Sequence, residues 1–162
     1  MATTTRTSIL NEYGSSGWTG SGTNQQIGNN FHIRETFNVG GIQDLGTITG
    51  LSCVMDPVST AAMNGTLYVT ADSTVTGNTI TNATSIGTWA LVSGGASQTM
   101  TVGNFNGAAF KSAIGTASTW YLIWAPVAGM VLRYLMVKSY HPVWTITYTP
   151  GSTRGKIGRA HV

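Results

Sequence analysis

Five carboxylates, Glu12, Glu35, Asp44, Asp56 and Asp72, are the chain's whole stock of acid groups. Hydrolysis of a sugar needs two carboxyls able to converge on one bond. Asp56 precedes Pro57 and reads as a turn cap, and Asp72 sits in a polar loop. Glu35 is different, because it shares the alternation face of the apolar Ile33 and Phe37. An inward carboxylate needs a partner, and Arg6 or Arg133 would make it a buried structural ion pair. As a catalytic acid it has no evident second carboxylate. His32 and His141 have no partner at metal-ligand spacing, and no Cys-x-x-Cys or Gly-x-Ser-x-Gly segment occurs. The glycine-rich stretches match neither a phosphate loop nor a dinucleotide fingerprint. No catalytic residue, metal ligand or cofactor is assigned, and the chain is expected not to be an enzyme.

Aromatic side chains offer the other chemistry. Trp or Tyr rings, surrounded by amide side chains, form stacking platforms for sugars. Trp18 lies among Gly, Ser, Thr and Asn residues, with Tyr13 and Gln25 nearby in sequence. Tyr140, before the last strand, is a second candidate. The competing reading makes Trp18 a plug at one end of the fold. Trp89, Trp120, Trp124 and Trp144 lie in apolar runs and are assigned to the core.

The elements that must position these residues are strands. Charged residues make up only 8% of the chain, against about 25% in ordinary globular proteins. Gly, Ser, Thr and Asn take their place, with enough aromatic and β-branched residues to exclude a disordered linker. Apolar residues alternate at period two almost throughout. Strands are expected near residues 3–10, 31–39, 47–55, 66–71, 85–92, 98–102, 120–124, 131–138 and 144–148, with a polar loop over 14–30. Asp56-Pro57 is read as a strand end and Asn64-Gly65 as a turn. The one expected helix spans 106–114. About eight or nine strands joined by short turns indicate an all-β, jelly-roll-like antiparallel β-sandwich rather than βαβ units. The domain is placed at 1–150, with a tail at 151–162.

Cys53 is the single cysteine, so no internal disulfide forms, and it shares a strand face with Leu51 and Met55 as a buried thiol. The start lacks an apolar segment of the signal-peptide kind, and residues 120–135 are broken by Pro126, Gly129 and Arg133. No membrane partner is expected.

The order of these signals over about residues 31–149 resembles jelly-roll modules of the DNRLRE type, which occur in secreted bacterial proteins and phage tail appendages. The residues that carry the likeness are 31–37, 48–54, 120–124, Lys138-Ser139, Pro142 and the run Trp144, Ile146, Tyr148. The family's signature Asp, Asn and Arg positions are matched only by Arg34-Glu35. The resemblance implies a virion or extracellular location and a homo-oligomer, a trimer for a fibre, with other appendage proteins or a surface glycan as further partners. Residues 156–162 resemble the translation of a sequencing adapter, which would end the native frame near Arg154. Without Lys156 and Arg159 the basic and acidic residues nearly balance, so nucleic acid is not an expected partner. The function expected is a structural or adhesive module. The alternatives are a carbohydrate-binding domain of a secreted protein and a divergent polysaccharide-degrading enzyme.

Overall fold

A computed structural model describes residues 1–14, 24–28, 31–57, 61–92, 97–131, 133–136 and 142–151. Among the described residues eleven strands and one α-helix follow one another: β1 (Ala2–Thr7), β2 (Ile9–Gly14), β3 (Asn24–Ile27), β4 (His32–Phe37), β5 (Thr47–Pro57), β6 (Met63–Thr70), β7 (Thr84–Leu91), β8 (Gln98–Thr101), α1 (Gly107–Ile114), β9 (Trp120–Pro126), β10 (Arg133–Met136) and β11 (Val143–Thr149). Eight strands have six residues or more, and β3, β8 and β10 have four each.

All pairings are antiparallel and build two sheets. The first holds β1, β11, β5, β10 and β3 in that order, with β8 also paired to β5; the second runs β2-β4-β9-β6-β7. The first half of the chain pairs with the second half in reverse order: β1 with β11, β4 with β9, β5 with β8 and β6 with β7. That is one long antiparallel ribbon rolled on itself, the jelly-roll winding of an all-β sandwich.

The alternation read from the sequence is the reason the sheets stack. Leu51, Cys53 and Met55 of β5 and Trp144 and Ile146 of β11 point inward from the first sheet. Ile33 and Phe37 of β4, Leu67 and Val69 of β6, and Trp120, Leu122 and Trp124 of β9 meet them from the second. All four tryptophans assigned to the core are buried there. Phe37 stacks on Trp120 at 4.0 Å, and Trp124 touches both Trp89 (5.3 Å) and Trp144 (5.7 Å). Such pairs contribute about 0.5–1.5 kcal/mol beyond their buried area. β9 is buried on both faces: Tyr121, Ile123 and Ala125 are also sheltered, and Ser73, after β6, reaches that outer face to accept a bond from Arg34.

The helix closes one side of the sandwich. Asn106 Oδ1 accepts from Ala109 N at 3.0 Å and caps it, while Phe110 and Ile114 enter the core. Lys111 Nζ donates to the carbonyls of Leu45 and Gly46.

Four local expectations change. The strand expected over 3–10 divides at Ser8 into β1 in the first sheet and β2 in the second. Part of the 14–30 stretch, expected as loop, is strand β3, paired with β10. β5 runs on to Pro57, which β10 joins at Leu135; a proline at a strand's last position removes no needed donor. Asn64-Gly65 is not a turn but lies inside β6, with Gly65 opposite Trp89 on one side and Pro126 on the other. A Cβ at Gly65 would fall on Ala125 O, so this position needs glycine for close approach.

Candidate functional site

The sequence singled out Glu35, and the structure makes it the centre of the only buried acidic cluster of bonds among the described residues. Its position follows from register. β4 sets Glu35 opposite Leu122 of β9, which turns the carboxyl toward the first sheet. Two of the four core tryptophans close over it from different sheets. Trp124 Nε1 donates to Oε2 at 2.6 Å, and Trp144 Nε1 donates to Oε1 at 2.8 Å. Ser8 Oγ donates to the same Oε1 at 2.7 Å. Ser8 is the single residue between β1 in the first sheet and β2 in the second, and its N–H is tied to Pro142 O at 2.9 Å. One carboxyl therefore joins both sheets and the crossover between them.

The ion pair expected with Arg6 does not form, and the side chain of Arg133, the other expected partner, lies outside the described residues. Arg6 turns Nη1 to Thr4 Oγ1 (3.0 Å) and to Thr5 O (2.9 Å), and its Nε is buried without a partner. The three groups among the described residues that bind Glu35 are neutral donors. Burial raises the Glu35 pKa above its ordinary value; the bonds from Trp144, Ser8 and Trp124 oppose that rise without cancelling it. Burial also pushes the Cys53 thiol well up, with the nearby Glu35 charge adding to the effect. An inert buried thiol is as read from the sequence.

This arrangement binds and orients, and it does not open to a substrate. Glu35 has no solvent exposure, and among the described residues no group of three or more His, Cys, Asp or Glu side chains is placed to hold a metal. Asp44 is exposed as the last residue of a short 3-10 turn, Ile42–Asp44. Asp72 Oδ1 accepts from Thr74 N (2.9 Å) and Thr74 Oγ1 (2.7 Å), and chiefly the hydroxyl bond lowers its pKa. His32 is a buried member of β4. An open groove of about 300 Å³ borders Trp89, and its walls (Asn64, Thr66, Thr88 and Val127 among them) carry no titratable group.

Of the four sugar-stacking candidates, Trp18 and Tyr140 lie outside the described residues. Tyr13 and Gln25 have backbone positions only: Tyr13 stands opposite Ile33 in the second sheet, and Gln25 opposite Leu135 in the first. The structure therefore assigns these two to different sheets.

A feature that sequence reading missed is the outer face of the first sheet. Register sets Thr5, Thr145, Ser52 and Thr101 in one row across β1, β11, β5 and β8. Thr3 and Thr147 make the next row, and Val54 pairs with Thr99 beyond. Each of these side chains is exposed or half-buried, and none is charged. The signal was present as alternate threonines at 3, 5 and 7 and at 145, 147 and 149, but only the strand order shows that the runs adjoin.

No family model matches the chain, and no curated protein matches its sequence. No helix among the described residues is long and apolar enough to cross a membrane.

Proposed function

We propose that this chain is a non-catalytic structural module of a virion or cell-surface appendage, which assembles with copies of itself through the outer face of the β1-β11-β5-β8 sheet. The observation that carries this reading is the uncharged row of hydroxyls on that face. Exposed sheets and edge strands of proteins that stay apart are normally guarded by lysine, glutamate or proline. Here β1 ends the sheet, pairs only with β11 among the described residues, and carries Thr3, Thr5 and Thr7 outward. Val54 (48% exposed) and Val143 (51%) add apolar area to the same face. Depletion of charge is the compositional mark of an interface core. The one buried carboxylate among the described side chains is sealed and committed to three bonds, which supports a structural role over a catalytic one.

Light scattering across a concentration series tests the reading. The wild type is expected as a multimer, and the double variant Thr5→Lys, Thr145→Lys as a monomer of unchanged fold. A wild type that remains monomeric at high concentration contradicts it. A monomer that binds a glycan array, with binding lost in Trp18→Ala, would favour the carbohydrate-binding alternative instead.

A further inference from the structure

We propose that Glu35, Ser8 and the indoles of Trp124 and Trp144 form a proton-operated latch, which holds edge strand β1 and its crossover on the sandwich when the carboxyl is protonated and loosens them when it ionises. The inference concerns the fold itself and stands whatever the outer face binds.

The geometry accommodates both protonation states with the same heavy atoms. An ionised carboxylate accepts all three bonds, Ser8 and Trp144 on Oε1 and Trp124 on Oε2. A protonated carboxyl must itself donate, and an indole N–H cannot accept. Ser8 Oγ is the one partner that can, and it has a second acceptor behind it: Pro142 O lies 3.5 Å away. The serine proton thus turns toward Glu35 when the carboxyl is charged and toward Pro142 O when it is neutral. No covalent change is involved, and the Glu35 proton passes to solvent.

The two states differ in cost. A carboxylate with no solvent exposure, bound among the described residues by neutral donors, keeps a desolvation penalty that a neutral acid does not. Among the described side chains few other charges bear on it; those of Glu12 on β2 and Arg133 on β10 lie outside that set. From β5, Cys53 faces the site and stays neutral, since burial raises its pKa well up. From β1, Arg6 lies two residues before Ser8, with its guanidinium engaged by Thr4 and Thr5. The described inward side chains of β9 and β11, Leu122, Trp124, Trp144 and Ile146, carry no titratable group, and neither do Ile33 and Phe37 beside Glu35 on β4. Ser8 is itself fully buried, so water that relieves the charge reaches the carboxyl when the crossover, tied by Ser8 N–H to Pro142 O, moves aside.

The sign follows from linkage. The folded chain holds this proton more tightly than the unfolded chain, because the folded pKa is raised. The stabilisation is therefore fully present below the unfolded value of about 4.3 and is lost as pH rises through the folded value. In that window the opening constant of the latch rises about tenfold per pH unit.

Indole resonances of ¹⁵N-labelled protein test this. Trp124 and Trp144 are expected to shift together in one titration centred above about 4.3. Trp89 and Trp120, whose Nε1 groups donate to Ala125 O and Val39 O, serve as controls and are expected to stay still. Amides of β1 should lose protection over the same range, beyond the base-catalysed rise shared with β6 and β7, and Glu35→Gln should abolish both effects. If Glu35→Gln fails to fold, the contrast between the two indole pairs in the wild type still decides. Stationary Trp124 and Trp144 signals, a midpoint at or below the ordinary carboxylate range, or β1 exchange that tracks β6 and β7 would overturn the latch.

Discussion

Glu35 is one residue whose direction is legible from its neighbours and whose partners are not. Alternation with Ile33 and Phe37 sends it inward, as the structure finds. The donors that meet it stand 27, 89 and 109 residues away, so only the rolled ribbon brings them together. Sequence reasoning reached for Arg6 or Arg133, because an inward carboxylate calls for a cation. Arg6 turns to Thr4 and Thr5, and among the described residues the fold supplies two tryptophan N–H groups, which serve at once as core and as donors. A donor bond to a carboxylate favours its charged form. Trp144 makes the strongest of the three opposing contributions. Trp144→Phe is therefore expected to raise the Glu35 titration midpoint further and to cost about 1–3 kcal/mol of stability. The Trp124 indole signal reports the first effect and chemical denaturation the second. An unchanged midpoint would show that the Trp144 bond is not coupled to the Glu35 proton.

Among the elements, those that bury one clean face were read most accurately. β7, β8, β11 and α1 fall where period and capping residues place them. Two of the misreadings share a cause, which is that glycine and proline punctuate by local rules that tertiary pairing overrides. Asn64-Gly65 has turn chemistry, yet β6 lies between β7 and β9 and needs glycine where Trp89 crosses toward Ala125 O. Pro57 was read as a stop, and β5 instead runs to it because its last position needs no donor. A methyl at Gly65 would overlap Ala125 O and sit 2.9 Å from Trp89 Nε1. Gly65→Ala is thus expected to destabilise the protein by about 3–5 kcal/mol, a loss of the size reserved for broken core geometry. Urea denaturation checks it; a loss below about 1 kcal/mol would mean that β6 can shift without breaking its register.

For the whole molecule, the all-β class and the sandwich were legible because alternation, sparse charge and abundant turn residues agree. Jelly-roll winding was suggested by signal order, and it is now visible in the reversed pairing of the chain's two halves. The candidate site was only partly legible: Glu35 was found, its latch partners were not, and the hydroxyl face needed strand order to appear. That face carries the functional proposal. Solvent paramagnetic relaxation of threonine methyl groups, measured in the assembled protein, tests it most directly. The methyls of Thr5, Thr145, Thr147 and Thr101 are expected to be shielded from a soluble spin label, while exposed Thr88 on the other sheet relaxes fully. Equal relaxation at all of these threonines would contradict assembly through the first sheet.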